Sequence, residues 1–116
     1  MKIRIKDNSV RIRLTRSEVS ELSERKQILA KTEFINGDFG YGIKCVDQGE
    51  LSASFEVGQI IIQMPTTYVQ EWIETDRVTF EGQFGKLHLL LEKDFVCIDR
   101  PEEDKSDNYP NPNIIC

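Results

Sequence analysis

The sequence predicts an α+β domain, built mainly as an antiparallel sheet or barrel of about eight strands with two short helices. Four pairs of segments alternate polar and apolar residues on either side of turn-forming residues, which is typical of β-hairpins. Two further segments combine a helix-capping residue with apolar residues spaced along one helical face. The length of 116 residues, with 39% hydrophobic and 30% charged residues, is typical of one folded domain.

The first half of the chain predicts a hairpin, a helix and a second hairpin. Apolar and cationic residues alternate before and after a turn at residues 7–9. A Thr-Arg-Ser-Glu capping box at residues 15–18 predicts a helix over residues 16–25. Asn36-Gly37, a dipeptide that readily takes positive φ angles, then joins strands at 27–34 and 38–46.

The second half of the chain predicts the same order of elements. Alternation on either side of Gly58 indicates a third hairpin, and alternation on either side of Gly85 indicates a fourth. Between them, Thr66 or Thr67 should cap a helix that ends near Thr75. The residues of this helix expected to face the core are Val69, Trp72 and Ile73.

The repeated order is consistent with an internal ββαββ duplication. A shift of fifty residues aligns Ile12 with Ile62, Leu14 with Met64, Val19 with Val69, Glu21 with Glu71, Leu22 with Trp72 and Phe34 with Phe84. Most of these matches pair one apolar residue with another, as any two ββαββ units would. The sequence therefore leaves two interpretations open: an internal duplication, or two ββαββ units that share only the common pattern of such units.

The domain should occupy residues 1–99, followed by an extended tail at 100–116. The tail is rich in proline and charge and offers few apolar side chains to offset the entropy of ordering, so we expect it to contribute little to folding stability. Cysteines at three widely spaced positions are typical of free thiols in a reducing compartment. With no apolar run near the roughly 18 residues that cross a bilayer, we expect a cytoplasmic protein without membrane contact.

The charge of the chain is unevenly distributed. The net charge of -5 argues against general nucleic-acid binding, which depends on neutralising phosphates with Lys and Arg. Residues 1–16 nevertheless carry six cations and one anion, a net +5 that leaves -10 on the remainder. Such an asymmetry indicates a candidate site.

Three stretches, Met1–Val19, Glu92–Cys97 and Ser106–Asn113, resemble an uncharacterised family of short bacterial proteins. The likeness rests on the Lys-Ile-Arg-Ile start of the first hairpin and on Asn-Tyr-Pro-Asn-Pro in the tail. The resemblance spans most of the chain and implies a recurring domain. It brings no activity, ligand or catalytic residue to carry over.

Motifs that carry enzyme chemistry are mostly absent, and we expect no cofactor and no metal. His88 shares the polar side of its strand with Glu92 and is interpreted as a surface residue. A Cys3His zinc site from Cys45, His88, Cys97 and Cys116 lacks the usual closely spaced ligand pairs. The acidic run from Asp99 to Asp107 lacks the spacing and central glycine of an EF-hand.

The cations of the first hairpin are the candidate binding residues. They are Lys2, Arg4, Lys6, Arg11 and Arg13. Because successive strand side chains point to opposite faces, these five should form one cationic face for an anionic ligand or an acidic protein partner. The competing interpretation is that the chain's own Asp and Glu residues neutralise this face at the surface.

Two other functions stay open. If the eight strands closed into a barrel with the charges inside, the protein would resemble the triphosphate-tunnel enzymes, whose Lys and Arg hold polyphosphate while Glu binds metal. The Glu-x-Glu-x-Lys signature of those enzymes is replaced here by Lys-Ile-Arg-Ile-Lys at residues 2–6. The third possibility is a protein-interaction domain without small-molecule chemistry, and the sequence leaves the oligomeric state open.

Overall fold

The computed structural model describes residues 1–94, which form eight strands and two helices. In chain order the elements are β1 (Lys2–Lys6), β2 (Ser9–Leu14), α1 (Arg16–Arg25), β3 (Gln27–Phe34), β4 (Gly37–Val46), β5 (Ser52–Glu56), β6 (Gln59–Pro65), α2 (Thr66–Glu74), β7 (Thr79–Phe84) and β8 (Leu87–Lys93). The predicted α+β class, the eight strands and the two helices are confirmed. The predicted tail at residues 100–116 lies outside the described residues.

The strands form two four-stranded sheets, and each sheet combines one hairpin from each half of the chain. The first sheet has the order β1-β2-β8-β7 and the second the order β3-β4-β6-β5. The hairpins are antiparallel as predicted, whereas the central pairs, β2–β8 and β4–β6, are parallel. The alternative of a closed barrel is wrong, because the strands divide into two separate mixed sheets instead of closing on one another.

The two halves of the chain occupy equivalent places in this topology. Each strand of the first half has a counterpart in the second half: β1 with β5, β2 with β6, β3 with β7 and β4 with β8. Exchanging every strand with its counterpart converts the order of the first sheet into that of the second, read from the other end. The base of each second hairpin carries the same hydrogen bond: Cys45 N–H donates to the Lys26 carbonyl at 2.9 Å, and Lys93 N–H to the Val78 carbonyl at 3.0 Å. The ββαββ repeat is therefore present in the topology as well as in the order of elements.

The repeat also accounts for the core. Equivalent buried residues are Ile12 with Ile62, Leu14 with Met64, Val19 with Val69, Leu22 with Trp72, Ile28 with Phe80 and Ile43 with Leu91. The shift of fifty residues holds for the first hairpin and helix of each half. It fails for Phe34 and Phe84, because the chain from the start of α2 to the base of β7 is two residues longer than that from the start of α1 to the base of β3, which makes Val78 and not Asp76 the equivalent of Lys26. The β3–β4 hairpin is also two residue pairs longer than β7–β8 when both are counted from their bases.

Both helices pack against both sheets. Helix α1 contacts β2 of the first sheet and β3 and β4 of the second. Helix α2 contacts β6, and its Trp72 ring lies edge-on to Phe80 of β7, with ring centroids 5.5 Å apart. Ile73, which was expected to face the core, is instead 51% exposed, because the buried stripe of this short helix consists of Val69 and Trp72.

The helices begin in different ways. The predicted capping box of α1 is confirmed, with Thr15 N–H donating to Glu18 Oε1 at 2.8 Å and Glu18 N–H donating to Thr15 Oγ1 at 3.4 Å. The predicted threonine cap of α2 is wrong, because Pro65 occupies the N-cap position and no side chain caps the helix. The Thr66 hydroxyl donates to the Val46 carbonyl at 3.1 Å, so it ties the helix start to β4 instead.

The Glu18 carboxylate makes the start of α1 sensitive to pH. Burial alone raises the pKa of Glu18, but hydrogen bonds from the Met1 ammonium and from the Thr15 N–H and hydroxyl hold it below its ordinary value of 4.5. A carboxylate whose pKa is lowered in the folded protein stabilises the fold above its ordinary pKa. That contribution is lost as the pH falls through the lower value.

We therefore expect Glu18→Gln to lower the free energy of unfolding at pH 7 by about 1 kcal/mol, because it removes the ion pair with the Met1 ammonium and the negative charge at the helix start. A glutamine oxygen can still accept from Thr15 N–H. The difference between wild type and variant should shrink as the pH falls below 4.5, which urea unfolding at several pH values measures. Glu21→Gln is the matched control, since Glu21 is exposed on the same helix. A difference that stays constant down to acid pH would contradict this account.

Candidate functional site

Strand pairing gathers the five predicted cations on one side of the first sheet. The register places Lys2 opposite Arg13 and Arg4 opposite Arg11, with Lys6 opposite Ser9. Alternate residues of β2, including Ile12, are buried in the core, so the arginines between them point outward. We call the outward side chains of Lys2, Arg4, Lys6, Arg11 and Arg13 the basic face.

The basic face places like charges next to one another. Residues two apart on a strand are separated by about 7 Å on one side of the sheet, and directly opposed residues have Cβ atoms about 5 Å apart. Lys2 with Arg13 and Arg4 with Arg11 are therefore two cation pairs facing each other across β1 and β2. Like charges in this position destabilise a sheet, so the arrangement costs stability unless anions lie nearby.

Strand β8 supplies part of the compensating charge. Its parallel pairing with β2 brings Glu92 beside Arg13, so that Glu92 Oε1 lies 4.0 Å from Arg13 Nε and 2.9 Å from Arg11 Nε. Neither arginine donates a well-aligned hydrogen bond to this oxygen, and one carboxylate is shared by two cations. Lys2 Nζ lies 3.3 Å from Asp94 Oδ2.

Arg4 and Lys6 are the uncompensated part of the basic face. Both side chains are exposed on the edge strand β1, and within residues 1–94 neither has an ion-pair partner. The expectation that the chain's own carboxylates neutralise the face is thus met for Lys2, Arg11 and Arg13. It is not met for Arg4 and Lys6 by any residue that the structure describes.

The other half of the same sheet surface is neutral or acidic. Beyond Arg11 the next outward residues are Leu90 on β8 and Glu81 on β7. His88 Nε2 lies 3.0 Å from Glu81 Oε2, which is the placement expected of a surface histidine. The outward surface of the first sheet is therefore polarised, with its cations concentrated on β1 and β2.

The second sheet provides an internal comparison for the basic face. The positions equivalent to Lys2, Arg4, Lys6, Arg11 and Arg13 are Ser52, Ser54, Glu56, Ile61 and Gln63. These residues pair in the same register, and the Ser52 hydroxyl donates to Gln63 Oε1 at 2.7 Å. The same hairpin thus forms without a single cation, so the fold does not require positive charge at these positions.

Other candidate groups lie away from the basic face. Burial raises the pKa of the Cys45 thiol against an opposing effect of Lys26, and Cys45 Sγ lies 3.8 Å from the Leu22 carbonyl oxygen. A cavity of about 400 Å³ lies beside the β4–β5 loop, where Glu50 is the single charged residue of its lining. Within residues 1–94 no three His, Cys, Asp or Glu side chains lie close enough together to hold a metal ion. Cys97, Cys116 and the acidic run from Asp99 lie outside this range.

The partners of the basic face depend on contacts that the sequence does not indicate. Glu92 and Asp94 reach the cations because β8 lies parallel to β2, although almost eighty residues separate the paired positions. The alternation in the sequence indicates the polar face of β8. It does not indicate which strand β8 pairs with.

Comparison with known proteins gives a family without an assigned activity. Residues 1–113 match a family described as a family of unknown function, DUF7009. No curated protein and no solved structure matches the chain. Neither helix in the described part of the chain has the length and apolar character needed to span a membrane.

Proposed function

Because the chain belongs to the family of unknown function DUF7009, we propose its function from its own geometry: it is a binding module whose basic face holds an acidic peptide segment of a partner protein. The observation that carries the proposal is the Arg4–Arg11 pair. Two cations face each other across β1 and β2, and Arg4 has no carboxylate partner within residues 1–94. An anion above this pair would relieve the repulsion between them.

The internal comparison supports a functional reason for these charges. Ser54 and Ile61 occupy the places of Arg4 and Arg11 in the second sheet, and that hairpin keeps the same pairing. Opposed cations lower stability, and a protein retains such a cost where binding depends on it. The first hairpin therefore carries charges that its fold alone does not explain.

The shape of the basic face favours an extended ligand. Lys2, Arg4 and Lys6 follow one another at alternate positions of a strand, about 7 Å apart. Alternate side chains of an extended peptide have the same spacing, so acidic residues at every second position would meet successive cations. Within residues 1–94 the face is also an uncovered sheet surface, whereas small molecules are usually bound in concave pockets.

Of the two alternatives, the phosphohydrolase is less well supported and the protein-interaction domain agrees with the proposal. A triphosphate-tunnel enzyme requires its cations inside a closed barrel, and here they lie on the outward side of an open sheet. A protein-interaction domain without small-molecule chemistry is compatible with an acidic peptide as the partner. These observations favour a binding function over phosphohydrolase activity.

The proposal is tested with a labelled octapeptide of alternating Glu and Thr, measured by fluorescence anisotropy with the full chain. We expect binding at about 20 mM salt that weakens strongly toward 200 mM, because exposed charges are screened. The double variant Arg4→Gln/Lys6→Gln should weaken binding about tenfold, since it removes two exposed charge contacts of modest individual strength.

The matched control is Arg25→Gln/Lys44→Gln, which makes the same change in net charge at exposed positions on α1 and β4. Its affinity should stay close to that of the wild type. If both double variants bound the peptide equally weakly, binding would depend on the net charge of the protein and not on the basic face. If the wild type did not bind the peptide at low salt, the proposal would be rejected. If tripolyphosphate bound more tightly than the peptide, the ligand of the basic face would be a compact anion and not a peptide.

A further inference from the structure

Among the described residues 1–94, strand β3 is an open edge of the second sheet. It pairs with β4 on one side, and its eight residues contain neither a proline nor a break in the register. Proline, bulges, short length and charged side chains are the usual means by which an edge strand is protected from pairing with another chain, and of these β3 has only the charged residues Lys31 and Glu33. The apolar residues exposed at this edge and its turn are Leu29 at 47%, Phe34 at 60% and Ile35 at 108%.

The equivalent edge strand, β7, is shorter. It has six residues, and the β7–β8 hairpin stops two residue pairs earlier than β3–β4 when both are measured from their bases. The additional length of β3–β4 carries Phe34 and Ile35 beyond the place where the other hairpin turns. The repeat therefore shows that this apolar extension is not required by the fold.

The backbone of β3 has donors and acceptors directed away from β4. Gly40 N–H donates to the Gly58 carbonyl of the β5–β6 turn at 2.9 Å, so this N–H points away from β3. Gly40 is paired with Lys31, which places Lys31 in a pair that exchanges no hydrogen bonds within the hairpin. Since the pattern alternates, the N–H and C=O groups of Leu29, Lys31 and Glu33 are all directed to the open edge.

We propose that β3 binds the β3 strand of a second copy of this chain, antiparallel and with the two-fold axis at Thr32. In this register Lys31 lies opposite Glu33 of the second copy, and the symmetry repeats the pair. Both residues direct their backbone groups outward, so each pair forms two hydrogen bonds. The dimer joins the two second sheets into one sheet of eight strands.

Charge selects this register over its neighbours. A shift of two residues in one direction would place Lys31 opposite Lys31 of the second copy, and a shift in the other would place Glu33 opposite Glu33 of the second copy. Both shifts keep the same side chains on each face but oppose like charges, which destabilises a strand pair. The chosen register also places Ala30 opposite Phe34 of the second copy and brings Leu29 toward Ile35 in the turn of the second copy, which covers the exposed apolar residues.

The competing contact within one chain is weak. Lys31 Nζ lies 3.5 Å from Asp38 Oδ2, and the two side chains are 59% and 49% exposed. Exposed ion pairs of this kind contribute little. Breaking this ion pair to bring Lys31 into contact with a second copy should therefore cost little free energy.

A charge exchange in the full chain tests the dimer. By light scattering after size exclusion, we expect the wild type to have twice the 13.4 kDa mass of the monomer. Lys31→Glu and Glu33→Lys each oppose like charges twice in the interface, and each should weaken dimerisation at least about tenfold. The double variant Lys31→Glu/Glu33→Lys restores opposite charges and should dimerise again, and an equimolar mixture of the two single variants should form a heterodimer.

Thermal unfolding of each single variant controls for loss of the fold, and Lys44→Glu on the neighbouring strand controls for a change in net charge. A wild type that stays monomeric up to about millimolar concentration would overturn the proposal. So would single variants that remain dimers, because the interface would then lie elsewhere, or single variants that do not associate when mixed. Peptide binding to the basic face is measured separately, since that face lies on the other sheet.

Discussion

Trp72→Ala should lower the free energy of unfolding by about 3–5 kcal/mol, the cost of removing a large aromatic side chain from a packed core. The Trp72 side chain is 1% exposed, and its Nε1–H donates to the Val78 carbonyl at 3.2 Å. The ring also lies edge-on to Phe80, an arrangement that stabilises aromatic pairs beyond their buried area. Alanine would leave a cavity and a loosened contact between α2 and β7, and the Val78 carbonyl would keep only the hydrogen bond from Lys93 N–H.

Urea unfolding measures this loss, and the neighbouring Ile73→Ala is the control. Ile73 belongs to the same helix but is 51% exposed, so its truncation should cost less than about 1 kcal/mol. Comparable losses for the two variants would show that α2 does not direct Trp72 into the core and Ile73 toward solvent. A loss for Trp72→Ala below about 1 kcal/mol would have the same meaning.

The position of Trp72 also bears on how the domain unfolds. Each sheet contains a hairpin from both halves of the chain, and the buried residues of both halves form one core. Neither ββαββ half can therefore complete a sheet alone. Unfolding should be a single transition in which circular dichroism and tryptophan fluorescence coincide, because Trp72 reports on the same cooperative unit as the strands.

The elements that the sequence predicted well depend on neighbouring residues. Hairpins and the helix α1 follow from alternation, turn residues and the Thr15–Glu18 capping box, all of which act over a few positions. The five cations of the basic face could be predicted for the same reason. Their common orientation requires only that β1 and β2 form a hairpin.

The features that escaped prediction depend on distant contacts. Alternation assigns a buried side to β8 but does not indicate that β2 is its parallel neighbour, so the role of Glu92 could not be derived. Thr66 has the residue type of a helix cap, yet its hydroxyl donates to Val46, which tertiary folding brings near. Ile73 has helical spacing for burial, but the helix presents too narrow a stripe to the sheets to bury it.

Gly42→Ala should lower the free energy of unfolding by about 2 kcal/mol or more, because an added methyl group has no space there. A Cβ atom at Gly42 would overlap the Ile28 carbonyl oxygen and lie 2.6 Å from Leu29 Cδ2. The carbonyl belongs to the paired strand, so relief of the overlap requires β3 to move.

The two sheets differ at this residue pair in which strand contributes the apolar side chain. In the second sheet the side chain of Leu29 lies over Gly42, whereas at the equivalent pair in the first sheet β8 contributes Leu90 and β7 contributes Glu81. Gly82→Ala is the matched control for Gly42→Ala, since its nearest contacts would be side-chain atoms of Leu51 at 3.3 Å. Removing a strand glycine also lowers the entropy of the unfolded chain, so Gly82→Ala should change stability by less than about 1 kcal/mol in either direction. Urea unfolding of both variants decides the matter: equal stabilities would show that β3 and β4 are further apart at Gly42 than this register places them.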